Sequence, residues 1–358
     1  MAGNNNQVYE LVTQRIVDAI EKGVAPWRIP WKKGPGSGLP RSMSTAKPYR
    51  GINVFLLGLQ GLGAGYVSPW WGTYNQVSEL GGQVRKGEKA TPVVFWSMKE
   101  RQDDLDEAGR PERYFVLRYY NVFNAEQADG LPERFYPKAE EAELAAPSEA
   151  QACAEEAVGR YLARAASLTF THARAGRAYY STREDLVNVP SIAEHVSADE
   201  YYSSAFHELA HSSGHPSRLG RPGVGEPHRF GDEEYSKEEL VAELASAMVQ
   251  GTVGICSTLE PSAAYLKHWA EVLKGDPRLI VAAAAAAQKA ADYVLCAEAD
   301  PPLAGPGAVE LCPSSVVASH RAVLGEGDRH ARQVAERRRQ RLVAGTANRL
   351  ATRPDLSR

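Results

Sequence analysis

The residues best equipped for chemistry stand together in Ser203-Ser204-Ala205-Phe206-His207-Glu208-Leu209-Ala210-His211. On a helix, side chains four apart share a face, so His207 and His211 can close on one metal ion. Glu208 follows the first of them directly and can face the same site, where a carboxylate holds and deprotonates a water. That combination is the chemistry of a zinc-dependent hydrolase, with Glu208 as the catalytic base.

Two histidines and a water leave one protein ligand to find. His215 lies four residues beyond His211, but Gly214 should end the helix and turn that side chain away. A better source is Tyr235-Ser236-Lys237-Glu238-Glu239-Leu240-Val241-Ala242-Glu243-Leu244, which reads as a second helix with Glu239 and Glu243 on one face. Leu240, Leu244, Ala247 and Met248 put that helix against a core, with the two acids beside it. The spacing resembles the gluzincin arrangement, in which the first acid binds zinc and the acid one turn later orients a ligand histidine. Glu239 is then the ligand. Ser236 and Glu239 also form a possible capping box, however, and a Glu239 held at a helix start would pass the ligand role to Glu243.

The elements that must position these groups are legible around them. Ser197 followed by Glu200 predicts a helix beginning near Ala198, and Gly214 predicts its end. Short strands are expected at 168–170 and 178–180, followed by 185–190, giving a small sheet whose edge could pair with an extended substrate. A helix is expected over 148–166, and Trp269, Leu273, Leu279 and the alanine-rich run to Val294 predict two more.

Composition sets the outer bounds. The chain has 358 residues, 43% hydrophobic and 24% charged, enough for two domains of ordinary globular character. No apolar run is long enough to span a bilayer, and the first residues carry no basic-then-apolar signal pattern, so a cytoplasmic protein with no membrane partner is expected. Four cysteines, Cys153, Cys256, Cys296 and Cys312, show no C-x-x-C pair and read as reduced thiols. The net charge of −3 conceals an asymmetry: residues 1–99 carry a surplus of +7 and residues 318–358 one of +6, leaving the middle at −16. Basic ends on an acidic body suit contact with a polyanion, or simply a solvated surface.

The N-terminal third has its own pattern. Gln7 to Lys22 reads as an amphipathic helix ended by Gly23. Pro26-Trp27-Arg28-Ile29-Pro30-Trp31-Lys32-Lys33 interleaves aromatic faces with cations, which suits stacked bases and phosphates of a single strand; alternatively the tryptophans anchor a loop in the core. Lys47-Pro48-Tyr49-Arg50-Gly51-Ile52-Asn53 is a second basic and aromatic cluster, opening a helix over 54–59. Thr73 to Leu80 predicts a third helix. Val84-Arg85-Lys86-Gly87-Glu88-Lys89 reads as a turn before strands at 91–96 and 114–122, joined by a charged loop over 99–113.

Together with Tyr74-Asn75-Gln76, Gly81-Gly82 and Tyr120-Asn121-Val122-Phe123-Asn124, these blocks resemble, in order, the N-terminal domain of ArdC-type antirestriction proteins. That domain is shared with some plasmid primases of the TraC type. The resemblance implies single-stranded DNA binding. The segment Phe206 to Leu219, with Tyr235 and Glu238 to Glu243, is similar to the zincin-like C-terminal domain of the same family; Ser212 stands where that family usually has a bulky aromatic.

The sequence therefore predicts an α+β protein: a small N-terminal single-stranded-DNA-binding domain over 1–137, a boundary reading as solvated linker or fraying helix across 125–147, and a zincin-like metallopeptidase domain over 148–300. A Pro/Gly-rich connector and a helical, arginine-rich basic tail follow over 301–358. Zn2+ is expected at His207, His211 and Glu239. DNA contacts are expected at Trp27, Arg28, Trp31, Lys32, Lys33, Lys47, Tyr49, Arg50, Asn53, Arg85, Lys86 and Lys89. The implied role is antirestriction on a mobile element or phage, by proteolysis of a host protein found on DNA or by shielding incoming DNA without cutting anything.

Overall fold

Apolar spacing becomes structure first at α1 (Asn5–Glu21), which buries Val8, Val12, Ile16, Val17 and Ile20 along one face. The computed structural model describes residues 5–28, 38–105, 111–136, 147–174, 176–224, 233–256 and 261–297. After α1 a 3-10 turn, Pro26–Arg28, precedes β1 (Arg41–Ser42), α2 (Ile52–Ala64), β2 (Trp70–Gly72) and α3 (Tyr74–Glu79). Thr73 and Gln76 cap α3 reciprocally. β3 (Gln83–Val84), β4 (Thr91–Leu105), β5 (Pro111–Asn124) and β6 (Ala128–Asp129) follow. β1, β2, β5 and β4 form one sheet in that order, and β3 pairs with β6.

Two expectations for this part change. The strands predicted at 91–96 and 114–122 continue into a long hairpin, with Arg101 opposite Glu112, so the charged stretch is mostly strand. The boundary read from Ala125 onwards is packed as far as Tyr136: Asn124 caps a 3-10 turn over Ala125–Gln127, and Phe135 is buried edge-on against Trp70 at 5.4 Å. Its polar and turn-forming residues are used in capping rather than left to solvent.

The second half begins with α4 (Pro147–Arg164) and a three-stranded sheet of β7 (Thr169–Thr171), β8 (Tyr179–Ser181) and β9 (Leu186–Asn188), ordered β7-β9-β8. Four helices complete it: α5 (Ala198–Ser213), α6 (Glu233–Val253), α7 (Ala263–Gly275) and α8 (Leu279–Val294). α6 packs between α5 and α8, and α1 lies on α7. The alanine-rich sequence of α8 lets neighbouring helices approach closely, with Ala284, Ala287 and Ala290 fully buried.

The main core crosses from one half to the other, drawing residues from Val8 to Val294. Trp27 is 4% exposed, meets Trp269 edge-on at 5.9 Å and donates its indole N–H to Tyr265 Oη at 2.7 Å. The Tyr49-Arg50-Gly51-Ile52-Asn53 cluster docks in the same way. Arg50 pairs with Asp292, and Gly51, at φ +58°, donates its amide to Gln288 Oε1 at 2.8 Å. Asn53 closes the outer edge of β4 by two hydrogen bonds to the backbone of Val94.

A buried ion pair ties the small sheet to α5. Arg218, 3% exposed, donates to both carboxylate oxygens of Asp185 and, through Nε, to the Ser212 carbonyl at 2.6 Å. Burial raises the Asp185 pKa, but hydrogen bonds from Arg218, Ser167 and Tyr180 outweigh it and hold the group down at about 2, from 3.8. A depressed carboxylate stabilises the fold fully above its unfolded value and loses that contribution as pH falls through its folded one. Asp185→Asn, which suits the left-handed backbone at this residue (φ +45°), is expected to cost about 3 kcal/mol at neutral pH and to flatten the stability loss between about pH 4 and pH 2, read by denaturant unfolding across that range.

Candidate metal centre

The helix carrying the histidines starts and stops where its sequence directs. Ser197 caps α5 by accepting from the Glu200 amide at 3.2 Å, and Gly214 follows the last turn. Gly214 has ordinary right-handed backbone at φ −80°, so left-handed freedom is not why glycine stands there. A Cβ would come within 2.9 Å of the Arg221 guanidinium and 2.6 Å of Val224. The glycine makes room for Arg221 under the end of α5, where it donates to the Ala210 carbonyl and Ser213 Oγ, each at 2.8 Å.

His207 and His211 present their Nε2 atoms 3.2 Å apart. Glu239 on α6 reaches both, Oε2 to His207 Nε2 and Oε1 to His211 Nε2, each at 3.5 Å. Ligand atoms of these three residues lie within 4.8 Å of one another. Nitrogens and oxygens about 2.0–2.2 Å from one tetrahedral ion would stand about 3.3–3.6 Å apart, so the observed spacing suits a single cation. The capping alternative for Ser236 falls away, because α6 already begins at Glu233 and Ser236 lies within it. Glu239 is thereby free to face the histidines.

The electrostatics favour positive charge at the same point. Burial disfavours charge on both imidazoles, yet Glu239 pulls His207 upward, and Glu238 and Glu239 bring His211 to about 10. Glu239 itself is held far below the carboxylate range: its hydrogen bonds to the two rings outweigh burial. Glu208, 8% exposed, shares a cleft of about 440 Å³ with the three residues. The edge strand β8 forms one wall through Tyr179 and Tyr180. Among the described residues no strand pairs with the outer side of β8.

The residue that orients His211 is Glu238, which sequence reasoning passed over. Its Oε1 lies 3.3 Å from His211 Nδ1, and Arg221 grips both of its oxygens. Glu243, expected as ligand or as the orienting acid, is elsewhere: its Oε1 accepts from Tyr265 Oη at 2.9 Å and from Arg28 at 3.4 Å. The signal for Glu238 was its place beside Glu239, since adjacent acids on a helix can meet two parts of one site. Arg221 had no sequence signal. His215 bonds Ser217 and takes no part in the triad. Ser212 fills the aromatic position with a hydroxyl bonded to Tyr161 Oη at 2.7 Å.

The expected DNA contacts separate into groups. Trp27 and Asn53 are structural, as described, and offer no stacking face or free amide. Arg28 pairs with Glu243, stacks over Tyr265 and lines a second cleft of about 230 Å³ beside His207 and Glu208. Tyr49 is half-buried against Trp71 and Val122, where burial raises its phenol. Arg50 is occupied by Asp292, and Arg85 by Glu88 and Asp129. Lys47, Lys86 and Lys89 stand exposed on the surface. Trp31, Lys32, Lys33, Cys312 and the whole arginine-rich tail lie outside the described residues. Among the described residues no disulfide joins Cys153, Cys256 and Cys296, and no described helix is long and apolar enough to cross a membrane.

Glu238→Gln keeps the shape but weakens the hold on His211 Nδ1. It is expected to lower divalent-metal affinity roughly 10- to 100-fold, measured by chelator competition, with α5 still helical by circular dichroism.

Comparison with known proteins places this geometry. Residues 6–123 match the family described as the N-terminal domain of anti-restriction factor ArdC, and residues 157–286 match a zincin-like metallopeptidase family. A protein named DNA primase TraC from Escherichia coli is 39% identical over 81% of this chain, which spans 20% of that relative's length. The uncharacterized protein y4eC of Sinorhizobium fredii is 35% identical over 82% of this chain and 93% of its own. Among solved structures, the metal-free antirestriction protein ArdC from the R388 plasmid superposes with a TM-score of 0.63 at 40% identity, over 80% of this chain and 96% of that one. A Mn(II)-bound structure of the same protein gives 0.62 at 39% identity. On both matched segments and on the extent of the fold they share, this chain belongs to the ArdC-type antirestriction family.

Proposed function

We propose that this protein is an antirestriction factor that binds single-stranded DNA and hydrolyses peptide bonds at a zinc site made by His207, His211 and Glu239. The observation that carries the reading is the convergence of two imidazole nitrogens and one carboxylate at single-ion spacing, with Glu208 beside them in an open cleft. Two nitrogens and one oxygen form a borderline donor set that suits Zn2+ and accommodates Mn(II), the ion held by the related R388 protein.

A cation bound there supplies Lewis-acid polarisation of a carbonyl or water oxygen. The chain's own residues do the rest. Glu208 accepts the proton of the attacking water and returns it to the amine nitrogen that leaves. Glu238, fixed by Arg221, keeps His211 turned so that Nε2 faces the centre. The free edge of β8 offers backbone groups to an extended peptide, and the cleft walls keep that peptide across Glu208.

Residues 1–137 would bring the site to DNA, and residues 148–300 would carry it, acting in the cytoplasm on a host protein found there. Arg28 joins the two, because it belongs to the first segment and lines the cleft beside the ligands of the second.

Glu208→Gln separates proteolysis from passive shielding. The variant is expected to retain metal and single-stranded DNA, while cleavage of the protein substrate drops about 100-fold or more and protection of incoming DNA in a restriction assay is lost. Full protection by the variant would assign antirestriction to binding alone. Removal of the ion by a chelator is expected to abolish cleavage, and stoichiometric Zn2+ to restore it.

A further inference from the structure

Two large aromatic side chains stand exposed where a sheet would normally cover or replace them. The β4–β5 register pairs Val94 with Tyr119 and Trp96 with Leu117, so all four share one face of the hairpin. Val94 and Leu117 are buried, whereas Trp96 is 48% and Tyr119 50% exposed. They occupy diagonal cross-strand positions, about 7–8 Å apart. Among the described residues neither side chain has a ring or hydrogen-bond partner. Trp27, Trp70 and Trp71, by contrast, each meet another ring edge-on.

The surroundings are cationic. Lys86 and Lys89 are exposed in the turn that leads into β4, whereas Arg118, opposite Phe95, belongs to the other face of the hairpin. From Lys89 the strand carries the chain about 20 Å to Trp96. The first 99 residues hold a charge surplus of +7. Rings that offer their faces on a strand led into by lysines fit bases stacking while phosphates follow the cations.

We propose that Trp96 and Tyr119 form a base-stacking platform for single-stranded DNA, with Lys86 and Lys89 along its phosphate path. The proposal rests on the DNA-binding reading above and moves its aromatic contacts from Trp27, which is core, to the hairpin.

The test is titration of the full chain with a fluorescent oligothymidylate of about 20 nucleotides at several salt concentrations. Trp96→Ala and Tyr119→Ala are each expected to weaken binding about tenfold or more with the salt slope unchanged, because stacking releases no counterions. Lys86→Ala with Lys89→Ala should reduce the slope instead. Trp96→Phe and Tyr119→Phe keep a ring and guard against misfolding; they are expected to retain most of the affinity. Trp27→Phe should leave it unchanged. Wild-type affinity in both alanine variants would overturn the platform while leaving the DNA reading intact. The same result with loss of self-association would make the face a contact between copies. No binding by the wild-type chain would overturn both.

Discussion

The candidate metal centre depends on two adjacent carboxylates that do different work. Glu239 reaches into the space between His207 and His211, while Glu238, one residue earlier on α6, turns to the far nitrogen of His211 and is clamped by Arg221. A helix rotates by about 100° per residue, so neighbours can address two parts of one site only if the helix axis is held closely. That hold comes from the apolar side of α6, where Leu240, Leu244, Ala245 and Met248 are fully buried against the surrounding helices. Arg221 locks the arrangement from below by donating to the Ala210 carbonyl and Ser213 Oγ of α5 and to the Glu238 carboxylate of α6 at once.

The N-terminal segment is part of the same construction. Its first helix lies on α7, its buried tryptophan meets Trp269, and Arg28 pairs with Glu243 on α6, one turn past Glu239. An acid that could have bound metal is thus occupied by an arginine from the other matched segment. The cleft beside the ligands has walls from both, which gives a physical route by which whatever the N-terminal segment binds can bear on the site.

Much of the centre was legible in the sequence because its determinants are local. Ser197, Glu200 and Gly214 delimit α5 within one chain stretch, and the four-residue spacing of the histidines fixes their common face. Glu239 was legible as an acid on a helix with an apolar side. The choice between Glu238 and Glu243 was not, since it is decided by Arg221 and Arg28, which stand in loops and turns without periodic pattern. The N-terminal clusters misled for a related reason. Trp27, Arg28, Arg50 and Gly51 find their partners 238, 215, 242 and 237 residues away, so nothing nearby in the chain reveals that their aromatic and cationic groups are taken up in packing. Trp96 and Tyr119 were hidden in the opposite sense. A strand rich in aromatics reads as buried, and only the register of the finished hairpin shows which two are left outside.

The most direct measurement of the central claim is anomalous diffraction at the zinc absorption edge from crystals of the full chain grown with Zn2+. One strong peak is expected, within about 2.0–2.2 Å of His207 Nε2, His211 Nε2 and a carboxylate oxygen of Glu239, with Glu238 retained on His211 Nδ1. An ion bound through Glu243 or His215 instead, or no peak between the two histidines at saturating Zn2+, would contradict it.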